Sequence, residues 1–484
     1  MSAILAIGYD MDNSISDLNG INTYTNPFNT ADGNIIHCVN LASNTNGSRI
    51  KRPGYDTFLG NPDNAKVNSL FSWLKNDGST LYVYRASGSA LYYSAQGTGA
   101  WTVCGNGTIA DGAHVTTAIL DDNMIMGDGV GTTRYTTDGT SFTDIPLAPI
   151  GGHDPVEYQG RIYIQGTASH VFYSVVGTIN DFDPTHDSSS LFIGGSGKLL
   201  TQYKASDRLI FCKSSGKQFR WDGDTLVDTA TRLGPSSAFC VGEIEDYRFW
   251  ANRIGVFISN ADKPQLISNP VHRQFADLNT HFDSTDVFNN LVAGVHGYDF
   301  MIAIDAVTDD FTDIPLTSAL LVYDYHHNEF INYVLPNFPT ALHSFVDNGG
   351  TPSLIFGDED GQVFRMNDAL RIDQIYPIEA SMVMILHGNL PHVRKDFGNI
   401  EFFASPGCQA KVQYAVEDVV QSGENKISGP RIWKDLCSLS KGYTLSRFPP
   451  ETRGRLLYLK FYENSLKAPW EIFSIHYTWE NVPL

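Results

Sequence analysis

One texture recurs through the middle of this chain and limits what it can fold into. Each unit opens with an apolar strand, turns on Gly, Asp or Asn, and runs through a second, alternating strand. It ends on a third strand rich in Tyr, Phe or Trp. Units begin near Val67 (VNSLFSWLKNDGSTLYVYRASGSALYYS), His114, Pro155, Lys198 (KLLTQYKASDRLIFCKSSGKQFRWDGD), Ser237, Asn290 and Ala341, spaced by 47, 41, 43, 39, 53 and 51 residues. A period of about 40–50 residues with three or four strands per unit predicts a β-propeller. One small twisted sheet cannot bury both of its faces alone, whereas radial stacking buries them against neighbours and leaves only short edges. The rival architecture, a large β-sandwich, would show no such self-similarity between units. The expectation is therefore an all-β chain: a seven-bladed β-propeller over residues 66–370, an N-terminal arm over 1–65, and a β-sandwich-like C-terminal domain over 371–484.

Composition agrees with many short strands joined by tight turns. Aromatic residues reach 12% and charged residues only 18%, with 43 Gly and 22 Pro. Aromatic and β-branched side chains pack on pleats, and Gly, Asn and Asp supply turn geometry. At 484 residues the chain is long enough for two or three domains and a large core. Its formal net charge is −20, which argues against a general grip on nucleic acid phosphates or on an anionic membrane surface. The acidity is concentrated: residues 66–370 carry −18, against −3 for 1–65 and +1 for 371–484. No apolar run approaches the roughly 20 residues of a membrane span, and the opening MSAILAIGYDMD lacks the basic start of a secretory signal. Six cysteines without a CxxC pair, several in apolar strings, read as reduced core thiols rather than a zinc or redox motif.

Candidate chemistry is sparse. The acidic turns Asp121-Asp122, Asp222-Gly223-Asp224, Asp309-Asp310 and Asp358-Glu359-Asp360-Gly361 offer oxygen ligands, but none has the ligand count of a calcium loop. His326 and His327 are adjacent and read as a hairpin turn. Gly194-Gly195-Ser196-Gly197-Lys198 lacks phosphate-loop spacing and reads as the turn into the fourth blade. A sialidase-type site would need converging arginines, and Arg134, Arg161, Arg208, Arg220, Arg232, Arg248 and Arg253 are scattered along the blades. Arg431-Ile432-Trp433-Lys434 reads as an exposed strand end, and Thr136–Phe142 (TTDGTSF) as a degraded Asp-box turn, structural in role. No catalytic, cofactor-binding or metal residue is assigned, and no enzymatic activity is expected.

One ordered series of short motifs carries a resemblance. Asn19-Gly20-Ile21-Asn22-Thr23, Asn26-Pro27-Phe28, Asp32-Gly33, Val39-Asn40 and Arg52-Pro53-Gly54-Tyr55 open it. Gly177 to Phe182 (GTINDF), Gly195-Ser196-Gly197, Asp207 to Phe211 (DRLIF), Gly255 to Ser259 (GVFIS) and Leu266-Ile267-Ser268 continue it. The series resembles the tail nozzle or tail hub proteins of short-tailed bacteriophages, from about residue 19 to 270. That resemblance implies a virion structural protein that self-associates into a ring, commonly a hexamer. Adaptor proteins would lie above it and fibres or spikes at its periphery, with DNA passing through unbound, in a tail assembled in the host cytoplasm. Two other readings remain open: a glycan-binding attachment propeller, and a sialidase-like glycan hydrolase.

Overall fold

The computed structural model describes residues 11–482 apart from 16–17, 19, 23–30, 45–46, 61, 77, 79, 167–168, 261–262, 273, 276–289, 305–318, 348, 368, 391, 418–431, 440–441, 451 and 466–469. The Asp309-Asp310 turn, Arg431, and Asn19, Thr23 and Asn26 to Phe28 of the opening motif series lie outside the described residues.

The repeats fold as antiparallel meanders, each strand pairing with the next. The first blade is Val67–Leu74, Leu81–Ser87, Ala90–Ala95 and Thr102–Thr108. The second is Thr116–Leu120, Asn123–Gly127, Arg134–Thr136 and Thr143–Asp144, and the third His153–Tyr158, Arg161–Gln165, His170–Tyr173 and Ser189–Phe192. Leu199–Ala205, Arg208–Lys213, Gln218–Trp221 and Leu226–Asp228 make the fourth, and Val241–Ile244, Tyr247–Asn252, Gly255–Ser259 and Gln265–Leu266 the fifth. The sixth is Val292–His296, Asp299–Ile304, Ala319–Asp324 and Glu329–Val334. The chain is an all-β β-propeller.

The expected count of seven needs correction. Six blades are complete meanders of four consecutive strands; the last repeat supplies only Ala341–Val346, Pro352–Gly357 and Val363–Asn367. The next strand in its sheet is Gly54–Thr57, antiparallel to Val363–Asn367 with Phe364 opposite Thr57 and Asn367 opposite Gly54. The repeat period counts units but does not reveal that a unit's outer strand comes from the other end of the chain. This composite sheet packs between the sixth and first blades. Thr340 Oγ1 donates to the Val67 carbonyl at 2.7 Å, and His343 Nε2 lies 2.8 Å from Ser72 Oγ. Ala341, Phe345 and Ile355 share a core with Val67 and Leu70. On the other side Gly294 has room for no side chain, since a Cβ would meet Leu342 Cβ at 2.8 Å.

The C-terminal strands form two sheets together with strands from the first 51 residues. One sheet runs Leu41–Ser43, Arg49–Lys51, Glu471–Asn481, Lys395–Ala404 and Tyr443–Arg447, with Met11–Ile15 also on Glu471–Asn481. The other extends the sixth blade: Asn34–Val39 meets Glu329–Val334 in parallel at Val39 and Asn332, and pairs on its other side with Ala380–Leu386. Leu456–Glu463, Lys411–Glu417 and Lys434–Ser438 follow. Met382, Met384 and Leu386 share one buried core with Phe397, Ile475, Tyr477 and Trp479, and Phe402 meets Phe461 edge-on at 5.7 Å. All seven residues of Ala380–Leu386 are buried, as expected of a strand covered on both faces, whereas a half-exposed strand alternates.

Candidate functional sites: the junction, an acidic hairpin and the axial mouth

The short basic patch before Pro53 is not a surface feature. Arg49, Lys51 and Arg52 are all buried, each at 1% exposure or less, and each holds a carboxylate from a different element. Arg49 takes Glu329 of the sixth blade in a two-pronged contact, Nη1 to Oε1 at 2.7 Å and Nη2 to Oε2 at 2.6 Å, with Ser43 joining the same carboxylate. Lys51 pairs with Glu463 of the C-terminal sheets. Arg52 grips Asp373 at 2.9 and 2.5 Å, the Val334 carbonyl at 2.7 Å and Asn40 Oδ1 at 2.7 Å. A guanidinium suits this role because its planar fork satisfies several acceptors at once.

The next residues finish the junction. A Cβ on Gly54 would sit 2.0 Å from the Ile372 carbonyl oxygen, so only glycine fits this close backbone approach. Tyr55 is fully buried and meets Phe356 and Phe364 edge-on at 5.0 and 5.2 Å, while its hydroxyl donates to Asn337 Oδ1 at 2.9 Å. Burial raises its phenol well above the ordinary range.

A second cluster sits at the hairpin end of the sixth blade. His326 and His327 do lie in the turn between Ala319–Asp324 and Glu329–Val334. Asp324 accepts from the His327 amide at 2.9 Å, and its other oxygen lies 2.6 Å from His327 Nδ1. Asp324, His327 and Glu329 bring potential metal-ligand atoms within 4.8 Å of one another. In the sequence this cluster has the spacing D-x-x-H-x-E across a hairpin. Glu329 is already committed to Arg49, so the cluster is better described as a row of charges than as an open cage. Asp299, opposite Asp324 in the register, completes the row. Burial raises its carboxyl to about 7, and the charges of Asp324 and Glu329 add to the rise while His327 opposes it. A carboxyl whose folded pKa is raised favours the fold while protonated, and that contribution is lost as pH climbs from about 4 to 7. Asp299→Asn should therefore raise the melting temperature at pH 8 by roughly 2 °C and leave it unchanged at pH 4. Equal shifts at both pH values in a melting series would contradict this origin.

The third feature is a cavity of about 550 Å³ lined by Lys66, Asn68, Gly112, His114, Asn290, Val292, Ala303, Phe338, Pro339 and Thr340. Lys66 and Asn68, His114, Asn290 and Val292, and Pro339 and Thr340 stand at or just before the first strands of the first, second and sixth blades and of the composite sheet. The cavity is thus the mouth of the ring where its inner strands begin. His114 stacks on Phe239, which precedes the fifth blade, with ring centroids 3.8 Å apart. Burial, aided by the Lys66 charge, lowers its imidazole to about 4, so the ring is neutral at pH 7. Asn68 is 4% exposed and its Nδ2 has no partner.

Elsewhere the residues singled out in the sequence serve the fold. Asp121 and Asp122 form a two-residue hairpin with φ of 49° and 56°, the primed turn that matches strand twist. Asp222 Oδ1 accepts the amides of Asp224 and Thr225 at 3.0 and 2.7 Å. Asp358 Oδ1 accepts those of Asp360 and Gln362, and its Oδ2 takes Asn337. In the Asp-box-like turn Asp138 Oδ1 accepts from the Thr140 and Ser141 amides at 2.8 and 2.9 Å. Residues 194–198 form the turn into the fourth blade, and Lys213 Nζ donates there to the carbonyls of Gly195 and Gly197. The arginines do not converge: Arg134 pairs with Asp144, Arg161 with Asp187, Arg208 with Asp207, and Arg248 with Glu243. Trp73 and Trp250 are buried and so are not available to stack on a sugar. Ile432 is exposed, while Trp433 is half-buried beneath Lys460. No described helix is long and apolar enough to cross a membrane.

No family model and no curated protein matches the chain. Among solved structures it is similar to YCF48 from Cyanidioschyzon merolae, at 10% identity and TM-score 0.42 over 65% of this chain and 99% of that one. The RRP9 WD40 repeats are similar at 10% identity and TM-score 0.44, over 66% and 99%. The WD40 β-propeller domain of Doa1 follows at 10% and 0.40, over 65% and 97%. Likeness at this level says nothing of what this chain binds.

Proposed function

We propose that this chain is a virion structural protein, a ring-forming nozzle or hub subunit of a short phage tail, without catalytic activity. The observation that carries the reading is where the resembling residues lie. Asn40, Arg52, Gly54 and Tyr55 belong to the series that resembles tail proteins, and they build the buried junction between propeller and C-terminal sheets. A buried, multiply hydrogen-bonded junction of this kind would suit a subunit that carries mechanical load. The near-neutral C-terminal sheets suit subunit-to-subunit packing, and the −18 on residues 66–370 would let DNA slide past without adhering. Self-association into a ring, a hexamer by the resemblance, would place adaptor proteins above and fibres or spikes around the propeller.

Immunogold labelling of purified particles tests this directly. Gold in a ring at the distal tail is the expected result. Gold on radiating fibres would favour the glycan-binding attachment reading, and particles without label would remove the structural one.

A further inference from the structure

We infer that the tyrosine-lined turns of the fifth and sixth blades are a docking surface for an arginine-bearing, cationic polypeptide segment. In each four-stranded blade the turns joining first to second and third to fourth strand lie at one end, because the strands are antiparallel. Neighbouring blades share that end: the Asn76 amide donates to Asp122 Oδ1 at 2.9 Å, and the Tyr158 hydroxyl to the Asp207 carbonyl at 2.7 Å. It lies opposite the axial mouth and displays much of the propeller's acidity, with Asp121, Asp138, Asp222, Asp224, Glu245 and Asp246 all exposed. Cations that reach it are committed, Arg161 to Asp187, Lys204 to Glu157, Arg208 to Asp207 and Arg248 to Glu243.

Acidity alone would not choose a place on this end; the aromatic rings do. Tyr247 meets Tyr325, and Tyr298 meets His326, each with centroids 5.8 Å apart. Tyr325 and His326 are consecutive, and the Tyr325 amide donates to the Tyr298 carbonyl at 2.9 Å, so the two ring pairs adjoin. Tyr298 is 51% exposed. Burial raises the Tyr325 phenol, and the Tyr247 and Glu245 charges add to the rise, which sets Glu245 beside the rings. These turns lie wholly within the described residues. A ring face attracts a cation, and a planar guanidinium stacks on it better than an ammonium does. Glu245 and Asp246 beside the rings supply the complementary charge. An anionic segment would be repelled, and a neutral sugar would leave the carboxylates uncompensated. The inference does not depend on the nozzle reading.

The test titrates the full chain into fluorescent hexa-arginine and hexa-lysine peptides at low salt, read by anisotropy. Hexa-arginine should bind roughly fivefold more tightly than hexa-lysine, the margin of one exposed cation–π contact. Glu245→Gln with Asp246→Asn should weaken both peptides roughly tenfold, whereas Asp222→Asn with Asp224→Asn, the same charge change two turns away, should leave both within about twofold. Tyr247→Ala with Tyr298→Ala should abolish the preference for arginine and spare hexa-lysine. Melting curves check that the variants are folded, and excess maltohexaose should not compete. The inference is overturned by any of four results: no binding of hexa-arginine, equal losses in the two carboxylate variants, an arginine preference that survives without the tyrosines, or displacement by the sugar.

Discussion

Arg52→Met should destabilise the chain by about 3–5 kcal/mol, the range for removing one partner of a buried ion pair. The loss comes less from the Coulomb attraction than from what remains behind. Asp373, 2% exposed, is left buried without its counter-charge, Asn40 Oδ1 keeps only the Val334 amide as donor, and the Val334 carbonyl loses the guanidinium. A second variant separates this from simple loss of packing. Arg52→Met combined with Asp373→Leu removes both charges, and replacing a buried pair by apolar groups is often near neutral. The double variant should recover more than half of the lost stability in guanidinium unfolding. If it is as unstable as Arg52→Met alone, the stranded carboxylate is not the cause.

Tyr55→Ala should cost a further class of stability, again about 3–5 kcal/mol, and should do so at a distance from the mutated strand. Tyr55 fills the gap between Phe356 and Phe364 and holds Asn337. Its strand, Gly54–Thr57, covers the last three-stranded meander. Losing that side chain loosens the composite sheet, which packs on the first blade through Thr340 and His343. Hydrogen exchange should therefore accelerate in Ala341–Val346 and Val67–Leu74, while the third to fifth blades stay protected. Uniform acceleration across all blades would mean that the propeller opens as one unit and that this sheet is not its weak seam. Tyr55→Phe, which keeps the ring and loses only the hydroxyl, should cost about 1 kcal/mol.

Much of the propeller could be read directly because its information is local. The repeat starts at Val67, Lys198 and Ala341 lie within one residue of strands beginning at Val67, Leu199 and Ala341. The turns at Asp121, Asp138 and Asp222 carry their own geometry, since each carboxylate or positive φ acts within a few residues. The apolar alternation of Ile472 to Trp479 marks a strand in the same local way, and the structure places Glu471–Asn481 there. The sites were less legible. Asp324, His327 and Glu329 share one hairpin and had a recognisable spacing, but Asp299 joins them only through strand register. The axial mouth draws its lining from positions between 66 and 340, and no local pattern marks residues that meet only when a ring closes.

The sequence by itself determined the strands, the turns and the repeat, because these depend on interactions within a few residues. Tertiary structure decided which strands share a sheet. Nothing near Gly54–Thr57 indicates that it will pair with Val363–Asn367, and nothing in Arg49, Lys51 and Arg52 distinguishes a solvated basic patch from three buried ion pairs. The physical reason is desolvation. A charge can be buried only where a partner from a distant segment meets it, and that meeting exists only in the closed fold.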